Sequence, residues 1–182
     1  MILTDREIRA CIANRQIIIE PEPAKTSYSA TTVDLRLGAK LQEWSLHASQ
    51  GEVVHPGRPG YRVMDVLDKY TRSIDIKSGY VVKPQQFVLA WTLERLELPK
   101  ESQIAARVEG KSSLARLGLG VHITAPTVHP GFSGPLQLEV CNHGTAFIEL
   151  VPGMSICQLI FETTLGTPDQ AYGGQFRGQK PS

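Results

Sequence analysis

The sequence predicts a mainly β fold, a sandwich or barrel with one short helix at the N-terminus and a polar segment at the C-terminus. Three observations carry this: short strand-like runs recur along the chain, Gly and Pro turns separate them, and one stretch alone has helical periodicity. That helix comes first. Thr4 and Glu7 have capping-box spacing, and Ile8, Cys11 and Ile12 make one apolar stripe. The first strand follows at Val33, Leu35 and Leu37, which alternate with Asp34 and Arg36. Further strands are expected at Tyr80 to Val82, Phe87 to Thr92, Ile104 to Val108, Gly120 to Ala125, Leu136 to Cys141, Phe147 to Leu150 and Ile156 to Phe161. Lys83-Pro84, Pro130-Gly131 and Val151-Pro152-Gly153-Met154 supply turns between them. Ala48 to Gly60 reads as a loop. The tail after Gly166 has too little apolar content to build a core layer, so it is expected either to be disordered or to order as a lid over a ligand.

Composition narrows the class. A chain of 182 residues is expected to form one β domain over 1–165 with a lid or tail over 166–182, and to bury roughly 70% of its unfolded surface. A net charge of +1 without a basic run argues against a nucleic-acid-binding surface. Apolar runs are short, such as Ile17 to Ile19, so no membrane span is expected, and MILTDREIR lacks the apolar core of a signal peptide. Cys11, Cys141 and Cys157 form no CxxC pair and no even framework, which suits a reducing cytoplasm.

The most informative stretch is GKSSLARLGLGVHIT, Gly110 to Thr124, followed by a lone strand carboxylate, Glu139, in PLQLEVCN. Gly110-Lys111-Ser112 resembles the end of a P-loop, but the first glycine of that motif falls on Ala105. What remains is a turn, with Ser112 and Ser113 as helix-start residues and a Leu114-Ala115-Arg116-Leu117 stub that Gly118 would end. An anion fits such a turn, because unpaired N–H groups and the helix dipole both point at it; a plain capped turn with a surface lysine is the alternative. Strand alternation puts Gln137 and Glu139 on the face opposite Leu138 and Val140. A glutamate amid apolar strand residues is costly unless paired or functional, and a solvated strand face with an arginine partner is the bland reading.

These segments resemble the dCTP deaminase branch of the trimeric dUTPase superfamily. TTVDLRLG (Thr31 to Gly38) is similar to that family's early strand. GKSSLARLGLGVHITAPTVHPGFSGPLQLEVCN covers its phosphate turn, base-reading strand and catalytic strand. VPGMSICQLIFE is similar to its closing strand, and AYGGQFRGQ (Ala171 to Gln179) to its C-terminal lid. The resemblance implies a dUTPase-like β-barrel or distorted jelly-roll, assembled as a homotrimer with active sites between subunits. It implies hydrolysis of dCTP to dUTP and ammonia in pyrimidine deoxynucleotide biosynthesis, with dTTP as a possible inhibitor.

Deamination of cytosine needs a water made nucleophilic at C4, a proton for N3 and a proton for the departing amine. Zinc deaminases use an H-x-E and P-C-x-x-C signature. Neither half is present, and His47, His55, His122, His129 and His143 show no ligand spacing, so no zinc is expected. One carboxylate must then shuttle the protons. By resemblance Glu139 is that general base, Ser112 helps to hold the water, and Arg116 favours the ionised carboxylate; Ser112 and Arg116 reach the site from a neighbouring subunit. The same likeness assigns Lys111, Ser112 and Ser113, with adjoining Leu114 and Ala115, to the triphosphate and its Mg2+. It assigns the backbone from His122 through Thr124 to Ala125 to the base edge, Gln137 and Leu138 to the nucleotide pocket, and Tyr172 and Gln179 to the lid.

Two positions depart from the family pattern. His129 stands where an aspartate commonly meets the sugar 3′-hydroxyl, and a histidine supplies no permanent negative charge. Gln175 replaces a lysine usual in the lid, which weakens a charge-assisted contact. His129 argues against a pyrophosphatase step, and the two changes together leave room for a shifted cytosine-nucleotide preference. A dUTPase-like diphosphohydrolase and a non-catalytic nucleotide-binding regulator are the other readings.

Overall fold

The computed structural model describes residues 1–45, 52–170 and 173. Helix α1 (Asp5–Ala13) opens the chain, with Ile8 buried and Cys11 and Ile12 packed against the core. Thr4 is its N-cap residue, but its hydroxyl donates to the Glu7 carboxylate instead of accepting from a backbone N–H. The two capping-box side chains thus bond each other.

The strands are β1 (Ile18–Glu20), β2 (Val33–Trp44), β3 (Thr71–Asp75), β4 (Tyr80–Val82), β5 (Phe87–Glu97), β6 (Ile104–Gly110), β7 (Leu119–Gly120), β8 (Thr127–Val128), β9 (Ser133–Asn142), β10 (Ile148–Leu150) and β11 (Ser155–Thr163). Nine of them form one sheet in the order β7-β9-β5-β2-β11-β6-β8, with β1 added on β5 and β3 on β2; β4 and β10 form a separate ribbon. The mainly β class expected from the turn spacing is what the chain adopts. No helix among the described residues is long and apolar enough to cross a membrane.

β2 gives the sheet its curl. Val33–Arg36 pair with β11, whereas Leu37 and the residues after it pair with β5, and register shifts fall between Leu37 and Leu41 and between Trp91 and Arg95. Such irregularities bend a strand and raise its twist. Gly38 sits at the bend, where an added Cβ would lie 3.1 Å from the Trp91 carbonyl oxygen. An ion pair with one buried partner ties β2 to β5: Glu94, 1% exposed, accepts from the Arg36 backbone N–H at 2.8 Å and from Arg36 Nε at 2.7 Å. Two charge-assisted bonds offset the desolvation of that carboxylate. Leu35, Leu37, Val88, Leu138, Val140, Leu159 and Phe161 meet in the main core.

Two expectations need correction. Gly120 to Ala125 does not form a full strand: pairing stops after Gly120, because Ala125 adopts a left-handed φ of 57° ahead of Pro126 and the segment leaves the sheet. A second helix, α2 (Val63–Tyr70), lies in a stretch the strand reading passed over. Its apolar residues Val63, Val66, Leu67 and Tyr70 have i, i+3, i+4, i+7 spacing, so the signal was present.

Candidate active site

β9 alternates as the sequence predicts. Leu136, Leu138 and Val140 are buried, and Pro135, Gln137 and Glu139 are half-buried on the other face. That second face floors a cavity of about 290 Å³, whose wall is the irregular segment from Ala125 to His129 and whose end is Phe132. Glu139 Oε2 accepts from the Ile123 backbone N–H at 3.3 Å, which ties the wall to the floor. The left-handed residue Ala125 makes the turn that lets the wall fold over. Non-glycine residues in that region cost about 1–3 kcal/mol and cluster at ligand sites. The volume is at the small end of ligand pockets and suits a nucleoside-sized group.

The structure brings Glu139, Gln137, Ala125 and His129 together at this cavity. Thr124 lies exposed just before the wall segment, outside the cavity lining. His122 turns inward instead: its Nε2 is 3.9 Å from Glu109, and its buried Nδ1 has no partner among the described residues. Leu138, 1% exposed, belongs to the core, so its side chain does not line the cavity and only its backbone is available there.

The phosphate turn lies apart from this cavity. Helix α3 is only Ser112–Ala115, with Lys111 as its N-cap residue and no side-chain cap. Four residues sum to little dipole, so the helix dipole expected to favour an anion here is largely missing, and an anion would depend on the turn's N–H groups and cations. Gly118, at φ 89°, ends the stub as expected. Ser112, Ser113, Ala115 and Arg116 are exposed, and Leu114 packs against the core. None of Lys111 to Arg116 is among the residues that line the cavity of their own chain. Lys111 is bonded to Asp34, and both side chains are largely covered, at 23% and 17% exposed. Nearby, Gln158 Nε2 donates to the Gly110 carbonyl at 3.2 Å. Burial pushes the Cys157 thiol up, and the neighbouring Glu94 and Asp34 charges add to it. That cysteine is a filler of the core, not a nucleophile.

Asp34 and Gln42 are the residues the motif reading missed. Gln42 accepts from Gln137 Nε2 at 3.1 Å beneath the cavity. Asp34 was legible as the charged position of an alternating strand, but its partner lies 77 residues away. Among the described residues no group of three or more His, Cys, Asp or Glu side chains is placed to hold a metal ion. Tyr172, Gln175 and Gln179 lie outside the described residues.

The chain thus combines a curled β domain, a carboxylate on the floor of a small cavity and a separate cationic turn that bears hydroxyls. A family model described as dCTP deaminase-like matches residues 2–164, and the chain belongs to that family. It is 37% identical to a dUMP-forming dCTP deaminase of Halobacterium salinarum over 99% of this chain and 89% of that one. It is 38% identical to a dCTP deaminase of Shewanella amazonensis over 94% of this chain and 88% of that one. In structure it is similar to the 2′-deoxycytidine 5′-triphosphate deaminase of Agrobacterium tumefaciens, with a TM-score of 0.68 and 27% identity over 89% of this chain. The chain spans 48% of that solved chain, about half its length.

Proposed function

We propose that the protein is a dCTP deaminase that hydrolyses dCTP to dUTP and ammonia, with Glu139 as its general acid and base. The observation that carries this is Glu139 on the cavity floor, half-buried and tethered to the wall through Ile123, in a chain of the dCTP deaminase-like family. Water attacks C4 as Glu139 takes one of its protons and delivers it to N3, giving a tetrahedral carbon that bears the hydroxyl and the amine. Glu139 then takes the hydroxyl proton and passes it to the amine, the C4–N4 bond breaks, ammonia leaves, and the 4-oxo group remains. A positioned carboxylate of this kind contributes on the order of 10²–10⁴-fold.

Ser112 and Arg116 complete the site from a neighbouring subunit of a homotrimer, which accounts for their exposure outside their own cavity. There Ser112 orients the water and Arg116 holds the carboxylate ionised. Lys111, Ser112 and Ser113 take the triphosphate. Magnesium enters on the phosphate oxygens and needs few protein ligands. The turn fits this, with hydroxyls and the Asp34 carboxylate beside Lys111, and no cluster of three or more metal-ligating side chains among the described residues. The chemistry at C4 uses no zinc. His122, Thr124 and Ala125 present backbone groups to the base, and by the family likeness the tail residues Tyr172 and Gln179 belong to the nucleotide site. The free cysteines suit a reducing cytoplasm.

A second reading is that dUMP is the final product, as the name of the Halobacterium relative states for that protein. His129 at the cavity rim weighs against it, since it brings no permanent negative charge to orient a second water. Products from dCTP, dCMP, CTP and dUTP, measured with magnesium and with and without a zinc chelator, test both. Chelator-resistant ammonia from dCTP without pyrophosphate supports the first reading. Ammonia with pyrophosphate supports the second, and no ammonia from any of them refutes the deaminase assignment.

A further inference from the structure

The ion pair between Arg36 and Glu94 engages only part of the arginine. Glu94 takes the Arg36 backbone N–H on Oε2 and the side-chain Nε on Oε1, so both carboxylate oxygens are occupied. Neither terminal Nη group has a hydrogen-bond partner among the described residues, and the Arg36 side chain is 40% exposed. An arginine that meets a carboxylate often does so through two parallel N–H groups. Here Nε alone is used, which fixes the side chain and leaves its terminal donors open.

Strand register puts those donors beside the Lys111 turn. Asp34 and Arg36 share the half-buried face of β2, one two-residue step of about 7 Å apart. Asp34 is bonded to Lys111, so the turn approaches that face. β11 runs between the two: Arg36 is opposite Ser155, and Cys157 is opposite Gly110, the residue before Lys111. Two strand spacings, about 10 Å, therefore separate Arg36 from the start of the turn. Both ion pairs flank the buried Cys157, whose ionisation the Glu94 and Asp34 charges oppose and Lys111 favours. Resting on the deaminase reading, we propose that Arg36, positioned by Glu94, is a further substrate-binding residue whose Nη groups donate to the triphosphate held at the Lys111 turn. Lys111 is shared with Asp34 and acts as a point charge, whereas a planar fork matches two phosphate oxygens at once.

Arg36→Met alone would leave Glu94 buried and unpaired, so it is combined with Glu94→Gln. Arg36→Lys is the second variant: it keeps a cation for Glu94 but has no fork to reach past it. KM and kcat are measured for dCTP and dCMP, and dUTP and dUMP are titrated by calorimetry. Both variants should raise KM for dCTP and weaken dUTP by about 10–100-fold, with dCMP and dUMP within about twofold of wild type. A purely structural pair predicts the opposite pattern, in which lysine restores wild-type constants and any loss falls equally on triphosphates and monophosphates. Either of those results, or wild-type dCTP and dUTP constants in the double variant, would overturn the proposal. The titrations need no turnover. If wild type binds dUTP but frees no ammonia from dCTP, the deaminase reading fails and the Arg36 comparison is still read; if ammonia is freed and the variants keep the wild-type preference for triphosphates, the Arg36 contact fails alone.

Discussion

Lys111 and Asp34, 77 positions apart, are bonded to each other at the edge of the phosphate turn, and neither side chain is more than about a quarter exposed. The pair fixes where the lysine's charge sits before any nucleotide arrives. Losing a charge-assisted contact costs about 1.5–3 kcal/mol. Lys111→Met should therefore weaken dCTP binding by roughly 10–100-fold while affecting dCMP far less. Equal losses for the two nucleotides in a binding titration would place Lys111 away from the outer phosphates.

Glu139→Gln keeps an acceptor oxygen for the Ile123 N–H but cannot take up a proton. Ammonia release from dCTP should fall by about 10²–10⁴-fold with nucleotide affinity nearly unchanged. Turnover close to wild type would remove Glu139 from the mechanism.

Arg116 is exposed and stands outside its own chain's cavity. Arg116→Ala should be nearly inactive alone. Mixed with Glu139→Gln and reassembled, it should regain activity at sites that draw one intact residue from each chain. No recovery in the mixture would refute a site shared between subunits.

Gly118 and Gly144 hold the α3 turn against the loop after β9. A Cβ on Gly118 would lie 2.4 Å from the Gly144 backbone nitrogen, at a φ of 89°. Gly118→Ala should lower stability by at least about 2 kcal/mol, from clash and backbone strain together. Gly153, at φ 87°, has nothing within 4 Å of its would-be Cβ, so Gly153→Ala isolates the strain at about 1 kcal/mol. Equal melting temperatures for the two variants would show that the close approach is not tight.

Glu43 accepts from Arg72 and from the Tyr80 hydroxyl, both at 2.7 Å, and from Gln86 at 2.9 Å. Burial raises its carboxyl pKa, but the bonds from Arg72, Tyr80 and Gln86 outweigh it and the net shift is downward from 4.5. A carboxyl depressed in the folded state stabilises above its unfolded value and loses that contribution as pH falls through the folded one. Glu43→Gln should thus be less stable than wild type at neutral pH, and its stability should fall less steeply below about pH 4.5. Parallel acid limbs in denaturant titrations at several pH values would contradict this.

Much of the fold was legible because period-2 alternation and Gly or Pro turns are local signals. Leu136, Leu138 and Val140 went to the core and Gln137 and Glu139 to the cavity face, as alternation requires. The strand expected at Gly120 to Ala125 was misjudged because its apolar spacing fits a strand, while Ala125 and Pro126 turn the backbone out of the sheet. That turn builds the cavity wall, and local propensity yields to it.

Sequence alone determined the β class, the helix stripe, the facing of Glu139 and the family, all of which rest on patterns read within a few residues or along one collinear run of motifs. Only the tertiary structure decided that Lys111 meets Asp34, that Gln137 bonds Gln42 and pairs across the sheet with Trp91, and that Ser112 and Arg116 stand clear of their own chain's cavity. Those relations depend on strand register and on the curl that β2 imposes by changing partners at Leu37. Contacts between residues many positions apart are set by that geometry, and no local pattern encodes it.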